Sequence, residues 1–140
     1  MSKIIDVFTY NGEADLLEIR LNILADVVDQ FIIVEAPTTF SGKPKSLYYE
    51  QQKERFKQWH NKIKYYILDE NDSELWKMAK NSPNTRGAAH WQREFVHKES
   101  IKKALTHLKD EDIVFVGDCD EIVEPMFYLP EISNRIIKFK

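Results

Sequence analysis

The run "VFVGDCDEIVEP", residues 115–126, sets Asp118, Asp120 and Glu121 directly after the apolar residues Ile113 to Val116 and Gly117. A chain that gathers this much negative charge at the end of a buried strand needs a counter-charge. Asp118 and Asp120 are two apart, and where a strand begins to turn both carboxylates can reach one point. Hard oxygen ligands suit Mg²⁺ or Mn²⁺, ions that complete their shell with water and substrate phosphates. The other reading is an Asp-rich turn whose solvated carboxylates cap a following helix. Spacing alone leaves both open, and placement after a buried strand favours the metal.

Other chemistry-bearing groups narrow the field. Phosphatases of the haloacid dehalogenase type also place two Asp after a strand, but at the first strand, whereas "DCDEI" follows the fourth. Arg20 falls in the middle of an apolar helical arc and needs a carboxylate or phosphate partner. The candidates are a structural pair to Asp6 or Glu35, or the floor of an anion site. Glu94 and Lys98 project within an apolar stripe as an i,i+4 pair. They form a salt bridge at its rim, or Lys98 with nearby Arg93 faces a ligand crevice and neutralises a diphosphate. "SGKPK" (41–45) lacks the first Gly of a P-loop and has Pro after Lys43, so it reads most simply as an exposed turn, the alternative being that Lys43 touches substrate. The four histidines have neither H-x-x-x-H spacing nor a Cys partner, which argues against zinc. No Ser stands in a nucleophile elbow.

These residues are positioned by an alternating series of elements. Ile4–Tyr10 reads as a buried strand ended by the turn pair Asn11-Gly12. Glu13–Val28 reads as a helix with Leu16, Leu17, Ile23, Leu24, Val27 and Val28 on one face at about 100° per residue. "FIIVEA" (31–36) is a strand covered on both faces, Pro37 to Pro44 a loop, 47–59 a helix and "KIKYYIL" (62–68) a third strand. Residues 69–87 read as a long polar connection, a candidate active-site flap. His90–Leu108 is a helix with Trp91, Phe95, Ile101, Leu105 and Leu108 as its core stripe, and 112–117 is the fourth strand. This order predicts an α/β fold with a mostly parallel sheet flanked by helices. Ligands of such sheets bind beyond the carboxyl ends of the strands. Asn11, Glu35, Asp69 and the 118–121 cluster all fall there.

At 140 residues and 43% hydrophobic content the chain suits one domain with one core. Its net charge of −3 gives no case for nucleic-acid or membrane binding. A single cysteine, Cys119, excludes an internal disulfide. No apolar run approaches the ~20 residues of a membrane span, and the N-terminus lacks a signal-peptide core. The expectation is a cytoplasmic, reduced protein without a transmembrane segment. The terminal "RIIKFK" has strand character, reading as a chain cut inside a larger fold or as an edge for self-association.

Together, "DVFTYNGEADLLEIRLNIL", "VDQFIIVEAPTTFSGKPKSLYY", "KIKYYIL" and "DEDIVFVGDCDEI" resemble glycosyltransferase family 17, in order, from Asp6 to Glu121. The resemblance implies a GT-A nucleotide-diphospho-sugar transferase fold of Rossmann-like type and an inverting, metal-dependent reaction. It implies a UDP-sugar donor, UDP-N-acetylglucosamine first, and a glycan acceptor. By analogy Asp118 and Asp120 become the D-x-D that holds Mn²⁺ or Mg²⁺ against the donor diphosphate, Asp118 also touching substrate. Tyr10, Asn11 and Glu35 would surround base and ribose, and Arg93 and Lys98 would face the diphosphate. The sequence departs from the family in having Lys98 where relatives often carry Arg, and Val123 where Pro commonly follows D-E-I. The family also continues into an acceptor-binding half that this chain lacks, where the catalytic base is expected, so no base is named. The competing readings are a non-catalytic nucleotide-sugar-binding module and a purely structural α/β domain.

Overall fold

Apolar runs rich in β-branched and aromatic residues favour strands buried on both faces, and four such runs build the sheet. The computed structural model describes residues 2–39, 41–69, 73–82, 89–122 and 136–138. Its strands are β1 (Ile4–Thr9), β2 (Gln30–Glu35), β3 (Ile63–Ile67) and β4 (Ile113–Asp118). A short β5 (Ile136–Lys138), inside the "RIIKFK" run, lies beside β4. The order is β3-β2-β1-β4-β5, and every neighbouring pair is parallel. The chain first builds outward from β1 to β3, then crosses back to lay β4 on the other side of β1. This is an α/β, Rossmann-like arrangement.

Side chains alternate across a strand, and that alternation splits the core in two. Phe8, Phe31, Ile33, Ile113 and Phe115 pack on one face with α1 (Ala14–Leu24), α2 (Tyr48–Gln52) and the 3₁₀ turns of Lys53–Lys62. Ile5, Val7, Ile32, Val34 and Val114 pack on the other. There they meet α3 (Ser73–Asn81), α4 (Ala89–Glu99) and α5 (Ile101–Ala104).

Several expectations are corrected. Helix α1 ends at Leu24, short of Val28, and the Lys62 ammonium caps the carbonyls that follow, those of Ala25 (2.6 Å) and Val28 (3.1 Å). Ile23, expected in its core face, is exposed. The helix expected over 47–59 passes into 3₁₀ turns after Gln52, with a break at buried Phe56. Residues 69–87, read as a connection, contain α3, held by buried Leu75 and Ala79; residues 70–72 and 83–88 lie outside the described residues. The single helix expected over 90–108 is two. The Ser100 hydroxyl donates to the His97 carbonyl (2.8 Å), competing with the helical ladder where α4 ends. Trp91, expected in the core stripe, is exposed, while Val96 and Ala104 are buried.

Candidate functional site

Parallel strands end together, so their last residues share one crevice. It is about 450 Å³ in volume and lies between the carboxyl ends of β1 and β4, where the strand order reverses. Thr9, Tyr10 and Asn11 line it from β1, and Asp118, Cys119 and Asp120 from β4. Glu94, His97 and Lys98 form one face of α4 along it, and Thr38, Thr39, Lys45 and Tyr48 close another side.

Within the acidic run each residue has a different environment. Asp118 and Asp120 are exposed, while Cys119 is buried in the core between them. Burial, with Glu13 and Asp120 nearby, pushes the Cys119 thiol up to about 12. The Glu121 carboxylate folds back and accepts from the Asp118 amide (2.8 Å), while the Glu121 amide donates to the Asp118 carbonyl (2.9 Å). The Thr9 hydroxyl, opposite Asp118 in the β1–β4 register, donates to Asp118 Oδ1 (3.3 Å). A tight turn follows Asp118, and no helix is capped there among the described residues.

Arg20 supplies positive charge beneath this turn. Its Nε and Nη2 fork onto Asp6 at 2.7 Å each, in a pair both of whose side chains are buried. Its Nη1 donates to the carbonyls of Asp118 (3.1 Å), Cys119 (3.1 Å) and Glu121 (2.7 Å). The guanidinium lies 4.4 Å from the Phe8 ring centroid. Burial raises the Asp6 carboxyl above the usual range, and the Arg20 fork opposes that rise. Of the two structural partners open to Arg20, the fold uses Asp6.

Glu35 is placed differently. It is buried at the end of β2, and its carboxylate accepts from Lys45 Nζ (2.5 Å), the Tyr48 and Tyr49 amides (2.7 and 3.0 Å) and the Tyr65 hydroxyl (2.9 Å). It caps the first turn of α2 from a distance and is not among the cavity-lining residues. Arg93 does not line the cavity either. Its Nη1 donates to Thr38 Oγ1 (3.3 Å), its guanidinium lies 5.2 Å from the Trp76 ring centroid, and Gly42 packs against it. Tyr10 lines the cavity while its hydroxyl donates to Gln52 Oε1. Asn11 lines it too, its amide donating to Glu13 (2.7 Å). Lys98 reaches it as half of the Glu94 pair (3.2 Å), so the salt bridge forms at the crevice, without Arg93 beside it as a lining residue.

Sequence reasoning missed His97, Lys45 and Tyr48 as lining residues. His97 was legible as the third polar member of an i, i+3, i+4 set with Glu94 and Lys98. Lys45 and Tyr48 enter through a loop path that no periodicity encodes.

Residues 1–127 match glycosyltransferase family 17. The chain is similar to the β-1,4-mannosyl-glycoprotein 4-β-N-acetylglucosaminyltransferase of Homo sapiens, 28% identical over 126 residues. It is likewise similar to those of Rattus norvegicus (28%) and Mus musculus (27%). Each alignment covers 86% of this chain but only 22%, 21% and 21% of the relative, so the chain spans about a fifth of their length. No solved structure gives a significant match. With nearly all of its length matched, the chain belongs to glycosyltransferase family 17.

Proposed function

We propose that this chain is the donor-binding part of a GT-A-type glycosyltransferase that takes a sugar, N-acetylglucosamine first, from a UDP-sugar to a glycan acceptor with inversion. The observation that carries the reading is the pair Asp118 and Asp120, both exposed on a backbone-anchored turn at the crevice where strand order reverses.

The donor set fits a divalent ion shared with substrate. Among the described residues no three His, Cys, Asp or Glu side chains gather into a ready-made cage. Two exposed carboxylates beside an open crevice match the way Mg²⁺ and Mn²⁺ bind with one or two carboxylates and substrate phosphates. Asp118 and Asp120 would hold the ion, and bound there it would act as a Lewis acid on the departing diphosphate. Thr9 orients the Asp118 carboxylate. Lys98 and His97 line the crevice along α4, where Lys98 would bring cationic charge to the diphosphate, and Tyr10 and Tyr48 also line it. Arg93 would act on the donor indirectly, by holding the loop that carries Thr38.

The test is calorimetric titration of UDP with Mn²⁺ and with chelator, on the natural chain and on Asp120→Asn. Mn²⁺ alone should bind weakly, and UDP should tighten it reciprocally. Asp120→Asn should abolish that coupling without shifting the melting temperature, because Asp120 is exposed. UDP should bind in preference to ADP and GDP. Unchanged UDP affinity in all four titrations would overturn the metal site, and equal binding of the three nucleotides would overturn the donor assignment.

A further inference from the structure

We propose that Arg20 is a positioning residue: through one nitrogen it sets the backbone of the 118–121 turn, and thereby the directions in which Asp118 and Asp120 project. What the turn is positioned for rests on the donor-site reading above. That Arg20 positions it does not.

The geometry divides the guanidinium in two. Nε and Nη2 are spent on Asp6, a parallel fork at 2.7 Å. Nη1 is directed at main-chain carbonyls of the turn, with Glu121 nearest and Asp118 and Cys119 at 3.1 Å. A structural ion pair needs only the fork. The three carbonyls come from a segment about a hundred positions away in the chain, and the donor reaching them is 1% exposed. Lysine cannot reproduce this, because an ammonium is a point donor without the planar fork that serves two directions at once.

The consequence is pre-organisation. Two carboxylates two residues apart repel each other before any cation arrives, and an unanchored turn would relax by splaying them. Carbonyl oxygens drawn inward to Arg20 fix the turn from beneath while Asp118 and Asp120 stay exposed above it. Glu121 locks the same turn from its own end through the Asp118 amide. Asp6 in turn fixes Arg20 from β1, so the turn on β4 is referred to the central strand of the sheet.

Cys119, the only cysteine of the chain and 1% exposed within this turn, is a built-in reporter. The experiment follows its labelling by an aromatic disulfide reagent at fixed pH, across sub-denaturing urea, in the full 140-residue chain. Three proteins are compared: the natural sequence, Arg20→Lys, and the double variant Asp6→Leu/Arg20→Met. The double variant removes both charges together, a replacement that buried pairs often tolerate. In the natural chain labelling should require global unfolding and share its urea dependence. In both variants the thiol should react at least about tenfold faster by local opening, as expected when charge-assisted hydrogen bonds are lost. A double variant that melts normally and labels at the natural rate would overturn the proposal, because the pair would then serve the core alone. Should the double variant not fold, the natural chain still decides: urea-independent labelling in it would show a turn that opens freely and would overturn the proposal. The Mn²⁺–UDP titration is run in parallel. Loss of coupling in folded Arg20→Lys supports positioning for the donor. Absence of coupling in the natural chain overturns the donor-site reading, and the thiol kinetics still judge Arg20.

Discussion

At a strand end a carboxylate can serve a ligand or the backbone, and its hydrogen-bond partners decide which. Glu35 and Glu121 serve the backbone, Glu35 at the first amides of α2 and Glu121 at the Asp118 amide. Asp118 and Asp120 remain exposed, which is what separates them chemically from their acidic neighbours. Glu35 also neutralises Lys45, whose side chain is 6% exposed, so removing the carboxylate strands a buried ammonium and two helix amides. Glu35→Ala is therefore expected to cost about 3–5 kcal/mol, the range for breaking one side of a buried pair. Urea denaturation measures it, and a loss below about 1 kcal/mol, the level of exposed pairs, would mean that the Lys45 ammonium reaches solvent.

At the scale of elements, legibility tracks how local the determining interaction is. The four strands over 4–10, 31–36, 62–68 and 112–117 were readable because burial on both faces writes itself as a continuous apolar run. The placement of the turn after Asp118 at the crevice was readable because the ends of parallel strands gather at one edge. Helix α3 was not, since its few core residues, Leu75 and Ala79 with partly buried Trp76, are set in a polar stretch. The break at Ser100 depends on one hydroxyl choosing a carbonyl, and Glu35's role depends on Lys45 and Tyr65, side chains 10 and 30 positions away. Arg20 was legible as a buried cation wanting a carboxylate, but its hold on a turn 98 to 101 positions away was not. The loop between β2 and α2 is likewise set by geometry rather than pattern. Its Thr39 amide donates to the Lys43 carbonyl (2.9 Å), and Gly42 sits at φ +88° against Arg93. A Cβ there would stand 2.9 Å from Arg93 Nη2, a flexible group that can yield, so the left-handed backbone dominates the cost. Gly42→Ala should destabilise the chain by about 1–2 kcal/mol. Equilibrium unfolding checks it, and a neutral result would mean that the loop adopts another backbone at little cost.

For the whole molecule, the sheet is a partition between two apolar layers, whose described buried residues form separate clusters. Leu21 of α1 lies wholly inside one layer and Val96 of α4 wholly inside the other. Leu21→Ala is expected to cost about 2–5 kcal/mol and Val96→Ala less, and the two losses should add to within about 0.5 kcal/mol because the sites share no partner. A larger deviation in the double variant would reveal coupling through the strands. On one side of this partition Arg20 does something no apolar residue can, since it grips the 118–121 turn by peptide carbonyls, which every residue type carries alike. The Arg20 contacts are thus indifferent to the exposed side chains at 118 and 120. That makes the turn a socket in evolutionary terms: its reactive groups can be exchanged one at a time while the mount that aims them is inherited unchanged.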